Sequence, residues 1–240
     1  MTPIVRRIRL GITNCYLLGH NHHWILVDAG IRGWSGRFFR KLAVWGCRPS
    51  DLRLIVITHA HFDHVGSLAA IRRRCDCPVA VHRIEASWLS EGRILLPPGI
   101  RPHTRALIGL ANRHPDLVRR WYRFESVKAE ILVEKELSLA PFGVAARVLH
   151  TPGHTPGSIS VLTEAGDAMV GDLAVNYIPF GLASVAPPFG DSVAMIRRQW
   201  RRLRDLGTRR IHPGHGWSFD ASALRTSHRT IHSRNVSSPF

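Results

Sequence analysis

The sequence predicts an α/β fold, on three observations. Short apolar runs rich in β-branched residues recur along the chain, and stretches of helical period separate them. Several of these runs end in His or Asp, as expected of open α/β sheets, which bind at the carboxyl ends of their strands. At 240 residues, 45% of them hydrophobic, the chain is long enough for one unit with a sizeable core. Residues 1–240 are therefore expected to form a single domain.

Taken in order, strands are predicted at 4–10, 16–18 and 24–27, with His20, His22 and His23 in a solvent-facing hairpin turn. A helix is predicted at 35–45. The run Leu54-Ile55-Val56-Ile57 is a buried strand that leads through Thr58-His59-Ala60-His61-Phe62-Asp63-His64 into a helix from Val65. A strand at 79–81 and a short helix at 85–89 follow. Segment 93–124 mixes prolines with apolar and basic residues and reads as an inserted helical lid. Its Ile94, Leu95, Leu96, Ile100, Leu107, Ile108 and Leu110 are read as packing the lid down in preference to touching a substrate. Strands resume at 131–133, 144–149, 158–162 and 168–170. Residues 177–190 form a proline-bearing loop, and a helix at 192–206 precedes the last strand at 210–211. The Ser-, His- and Arg-rich tail after about residue 218 is expected to end loosely.

The chemistry concentrates where strands end. His59 and His61 lie two apart as a strand leaves the sheet, which puts both rings on one side. Asp63 and His64 follow at a helix start, where a carboxylate sits favourably in the helix dipole. Three more segments, Thr151-Pro152-Gly153-His154, Val170-Gly171-Asp172 and Pro213-Gly214-His215, add further imidazoles and a carboxylate. Imidazole suits zinc and iron, and carboxylates hold two cations together, so the set is complete for two adjacent metal ions. His150 and His212 flank ligand segments. They either orient those segments by hydrogen bonds or pack at strand ends.

The pattern H-x-H-x-D-H followed by a distant His, Asp and His resembles the metallo-β-lactamase-fold superfamily of metal-dependent hydrolases. The likeness runs from Asn14-Cys15-Tyr16-Leu17-Leu18 and Val27-Asp28-Ala29-Gly30 to Pro213-Gly214-His215-Gly216. It implies an αββα sandwich of two mixed β-sheets flanked by helices. It also implies that His59, His61 and His154 hold one ion and Asp63, His64 and His215 the other, with Asp172 bridging and Asp28 bracing the metal loops. Two divalent ions are expected, preferably zinc, with iron or manganese as alternatives. True β-lactamases often carry Cys where this chain has Asp172, and flavodiiron proteins an acidic residue where it has His61. The likeness is therefore to the glyoxalase-II-like or lactonase-like branch, in which Tyr177 is a candidate substrate-binding residue. Two divalent cations set against two carboxylates and a bridging hydroxide leave about one positive charge, and the pKa of bound water falls towards ~7. The expected reaction is attack by that hydroxide on an ester, thioester or lactone, with Asp63 as the catalytic proton shuttle. Alternatives are a phosphodiesterase acting on a nucleotide or nucleic acid and a non-haem iron redox enzyme.

Composition bounds the partners. The net charge is +16, and only Lys41, Lys128 and Lys135 are lysines among the 33 basic residues. Arginines crowd two stretches, 93–123 and 195–204. The second, with Ile196, Trp200 and Leu203 interleaved, is read as an amphipathic helix with a solvated basic face. No nucleic-acid-binding motif accompanies it, so an anionic or polarised small molecule is the preferred partner over nucleic acid. No apolar stretch has membrane-spanning length, and no secretory leader is evident at the start. Cys15, Cys47, Cys75 and Cys77 form no C-x-x-C framework and are read as reduced thiols, so the expected location is the cytoplasm.

Overall fold

Strand after strand in this chain is apolar on both faces, and the architecture explains why. The computed structural model describes residues 2–177 and 185–224. Its first sheet is built from β1 (Ile4–Leu10), β2 (Thr13–His20), β3 (His23–Val27), β4 (Leu52–Val56), β5 (Val79–His82) and β6 (Ile131–Val133), in that spatial order. β1 to β3 are antiparallel, and β3 to β6 are parallel. The second sheet runs from β7 (Glu136–Ser138) through β8 (Ala146–His150), β9 (Ile159–Thr163), β10 (Asp167–Gly171) and β11 (Arg210–Pro213) to β12 (Phe219–Asp220). Only its β10–β11 pair is parallel.

Each sheet is covered on one face by helices and on the other by its partner sheet. In β2, Cys15 and Leu17 join the core under α1 (Ser35–Val44) and α3 (Leu68–Cys75), whereas Tyr16 and Leu18 join the core between the sheets. In β4, Ile55 faces the helices, and Leu54 and Val56 face the other sheet. In β10, Met169 points between the sheets and Val170 towards α7 (Val193–Asp205). This is the period-two alternation of a strand, with both faces dry. Each such Leu, Ile or Val contributes about 1.5–3 kcal/mol by burial. The αββα sandwich expected from the sequence is thus the fold observed.

α7 forms as its spacing predicts. Ser192 caps it by accepting from the Met195 amide at 3.3 Å, and Ile196, Trp200 and Leu203 are buried while Arg197, Arg198, Arg201, Arg202 and Arg204 are exposed. The helix expected from Val65 is instead two pieces, α2 (Phe62–Val65) and α3. The Ser67 hydroxyl interrupts it by donating to the Ile31 carbonyl at 2.6 Å and accepting from the Trp34 amide at 3.1 Å. α4 (Ala86–Glu91) follows β5. In segment 93–124 lie α5 (Pro102–Asn112) and α6 (Pro115–Tyr122), each opened by a proline at its first position, where the missing N–H costs nothing. No helix among the described residues is long and apolar enough to cross a membrane.

Two strands escape the sequence reading, for one reason. β7 and β12 are three and two residues long and sit at sheet edges, and their pairing is dictated by β8 and β11. The tail is consequently not loose at its start. Phe219 pairs with Ile211, Asp220 caps a turn at Ala221–Ala223, and Leu224 is buried. The remainder of that tail, from 225 on, and residues 178–184 of the proline-bearing loop lie outside the described residues. His22 and His23 are exposed at the β2–β3 turn. His150 and His212 pack and bond at strand ends: His150 stacks on His82, with ring centroids 3.9 Å apart, and His212 bonds Asp167 and Ser218 at 2.8 and 2.9 Å.

Candidate metal centre

The loops that leave β3, β4, β8, β10 and β11 meet at one end of the sandwich, and short hydrogen bonds fix their approach. The Asn14 amide donates to the Gly214 carbonyl at 2.7 Å and the Tyr16 hydroxyl to the Pro213 carbonyl at 2.7 Å, which ties the first sheet to the loop after β11. The Ile159 amide donates to the Thr58 carbonyl at 2.8 Å and joins the loop after β4 to β9.

Three groups that could hold a metal ion result: His59, His61 and His154; His59, His64 and Asp172; and Asp63, His64 and His215. Within each group the donor atoms lie within 4.8 Å of one another. All seven residues named from the sequence are therefore together. Asp172 sits between the two imidazole sets, with Oδ2 3.7 Å from His154 Nε2 and Oδ1 3.3 and 3.4 Å from Nε2 of His64 and His215. Asp63 Oδ2 is 3.1 Å from His215 Nε2.

The rings are aimed by their other nitrogens. Nδ1 of His64 donates to Asp28 Oδ2 at 2.8 Å, Nδ1 of His154 to the Phe189 carbonyl at 3.1 Å, and Nδ1 of His215 to the Ile12 carbonyl at 3.1 Å. Nδ1 of His59 lies 3.1 Å from the Thr58 hydroxyl, which itself donates to Asp28. In all four rings Nε2 is left facing inward. Such partners set the tautomer and raise ligand basicity. Asp28, held at φ 62, thus braces ligands from two sets.

A cation fits this arrangement on two counts. His59 Nε2, His64 Nε2 and Asp172 Oδ1 are buried and have no hydrogen-bond partner among the described residues, a costly state for polar atoms unless something coordinates them. The charges agree. Burial and the adjacent His154 push His61 down to about 3, and burial with His64 beside it pushes His59 down, so both rings are neutral donors. Burial opposes ionisation of Asp63, but His64 and His215 outweigh it and hold the carboxyl at about 2. His64 is likewise opposed by burial, yet Asp28, Asp63 and Asp172 raise it to about 10. Positive charge is drawn to the point between the carboxylates where a divalent ion would supply it.

Gly214 is required by close approach. A Cβ there would lie 2.7 Å from both Asp172 Oδ1 and His64 Cε1. Gly214→Ala is expected to displace those donors and lower kcat/KM by about 10²-fold, the cost typical of an ångström-scale misplacement, with little change in Tm. Steady-state kinetics beside a thermal melt checks this.

The sequence reading missed Glu85. It is fully buried and accepts from the Ala60 amide and the Thr155 hydroxyl, so one carboxylate joins the His59/His61 loop to the His154 loop. Burial pushes it up to about 7 against those bonds. A lone Glu opening a short helix carries no local signal of such a role. Thr13, which donates to Asp63 Oδ2 at 3.1 Å, was also missed.

A cavity of about 610 Å³ opens over the ligands. His61, Asp63, His154, Asp172 and His215 form its floor; Phe62, Leu96, Leu107, Ile108, Tyr122 and Phe189 form an apolar wall; Arg7 and Arg9 stand at one side. Leu96, Leu107 and Ile108 therefore face the cavity, contrary to the packing role expected from the sequence. Tyr177 also lines it, half-stacked on His215 at 6.0 Å between ring centroids.

Comparison with known proteins agrees with this geometry. The chain is 29% identical over 185 residues to the probable metallo-hydrolase YflN of Bacillus subtilis, a match covering 75% of this chain and 68% of that protein. It is 28% identical over 235 residues to the acyl-coenzyme A thioesterase MBLAC2 of Gallus gallus, covering 88% and 75%. The crystal structure of TTHA1623 in a di-iron-bound form has a similar fold, with a TM-score of 0.61 at 24% identity, covering 93% and 96%. The family model of the metallo-beta-lactamase superfamily matches residues 8–215. With that match spanning nearly every element of both sheets, the chain belongs to the metallo-beta-lactamase superfamily, whose members are metal-dependent hydrolases.

Proposed function

We propose that the protein is a binuclear metallo-hydrolase of acyl thioesters. The observation that carries this reading is a cluster of seven candidate donors, with unpartnered atoms on His59, His64 and Asp172, of which His61, Asp63, His154, Asp172 and His215 floor a cavity whose wall is apolar. Kinship to an acyl-coenzyme A thioesterase supports the thioester in preference to other carbonyl substrates.

His59, His61 and His154 would hold one ion and Asp63, His64 and His215 the other, with Asp172 shared. Zinc suits these imidazole and carboxylate donors, and iron is the alternative to which the di-iron neighbour points. When bound, such ions activate water near neutral pH and polarise the scissile carbonyl. The chain's own residues do the rest. Asp63, ionised and accepting from the Thr13 hydroxyl at Oδ2, would take up a proton from the attacking water and pass it to the departing thiolate. Phe62, Ile108 and Tyr122 receive the acyl group and exclude water from it. Arg7 and Arg9 face an anionic part of the thiol moiety, and Tyr177 contacts substrate at the His215 side. The four cysteines, buried as free thiols, are in keeping with a cytoplasmic setting.

The test is a panel of acyl thioesters of increasing chain length beside bis-p-nitrophenyl phosphate. Thioester turnover should dominate, and hydrolysis of the phosphodiester alone would overturn the assignment. Ile108→Trp should cut kcat/KM for long-chain thioesters by about 10–100-fold while sparing short ones, the scale expected for a few methylenes in an apolar pocket.

A further inference from the structure

α5 and α6 carry an outer surface that neither the cavity nor the core uses. In α6, Val118 and Tyr122 turn towards the protein and are half-buried, whereas Leu117 and Trp121, four apart on an adjoining strip, are 54% and 75% exposed. α5 repeats the arrangement: Thr104 is buried and Ile108 half-buried, whereas Leu110, outside the cavity lining, is 54% exposed. Each helix therefore has an apolar arc wider than the protein covers. The flanks are basic. Residues 93–124 hold seven arginines and a single acid, Asp116. Among the described residues only Arg93 of those seven is ion-paired, to Glu91.

We infer that α5 and α6 seat the protein on an anionic lipid surface, with Leu110, Leu117 and Trp121 entering the acyl boundary and Arg113 and Arg120, which flank that strip, meeting headgroup phosphates. Exposed Leu and Trp beside unpaired arginines are the composition of helices that lie in a membrane interface. Trp favours the headgroup level, and each arginine near an anionic leaflet adds attraction. The exposed apolar strip argues for lipid over nucleic acid, since a phosphate backbone would use the arginines and leave Leu117 and Trp121 in water. The surface stands apart from the reaction, because neither Leu117 nor Trp121 lines the cavity.

Co-sedimentation of the purified protein with phosphatidylglycerol/phosphatidylcholine vesicles, and with phosphatidylcholine alone, tests the inference. Binding should require the anionic lipid and weaken with added salt. Arg113→Glu with Arg120→Glu should lower the partition coefficient by at least about tenfold, while Arg197→Glu with Arg201→Glu on α7 leaves it unchanged. A variant that loses its fold is recognised by circular dichroism and replaced by Trp121→Phe. That variant should keep binding but lose the quenching of Trp fluorescence by brominated lipid. No vesicle binding, binding abolished by the α7 pair alone, quenching that persists in Trp121→Phe, or retention of RNA or DNA without vesicle binding would each overturn it. So would a dimer that buries Trp121 and ignores vesicles.

Discussion

Replacing His59 or Asp172 by alanine is expected to lower kcat by on the order of 10³-fold. Several kcal/mol of transition-state stabilisation depends on a properly held ion, and each 1.36 kcal/mol is about tenfold. The two variants should differ in their metal content. In the proposed assignment His59 serves the first ion alone, and its Nε2 has no hydrogen-bond partner among the described residues, so His59→Ala should weaken one site. Asp172 lies near Nε2 of His64, His154 and His215, so Asp172→Ala should weaken both. Kinetics at saturating substrate, paired with metal analysis of each variant, checks the result. Activity within tenfold of wild type in either variant would contradict the site.

Asp28 should produce the second largest effect while touching no substrate. Its carboxylate accepts from the Thr58 amide at 2.8 Å, from the Thr58 hydroxyl and from His64 Nδ1 at 2.8 Å, all out of water. Asp28→Ala leaves those donors buried and unmatched, and breaking such a pair costs about 3–5 kcal/mol. Asp28→Asn keeps the shape and tolerates the positive φ, but it sets an amide N–H against one of those donors. Tm should then fall far less in the Asn variant than in the Ala variant. Metal affinity should drop about 10–100-fold in both, as for other groups that orient ligands. A Asp28→Asn protein with unchanged affinity would remove Asp28 from the orienting network.

Much of the sandwich was readable in advance because its strands are dry on both faces. β4 announces itself as an unbroken apolar run, and the residues that follow it had to be the site, since loops at strand ends are where polar side chains can converge. The candidate donors were equally plain as a group, because metal donors are few in kind and these follow apolar strands, with His59 and His61 spaced by the strand period. What stayed hidden depends on tertiary partners. β7 and β12 exist only because β8 and β11 offer an edge. Glu85 matters through Ala60 and Thr155, which are far from it in sequence. The inward turn of Leu107 and Ile108 follows from how α5 is tethered, through the bond from the Thr104 hydroxyl to the Pro188 carbonyl at 3.1 Å. An apolar residue looks the same in the sequence whether it packs a helix down or lines a chamber.

Central to the account are seven side chains, from four segments at strand ends, that would hold two ions. Elemental analysis of protein purified without added metal tests it most directly. The account predicts two divalent ions per chain, chiefly zinc, lost together with activity on chelation and restored with it when zinc is returned. Full thioesterase activity in protein that carries no metal would contradict it.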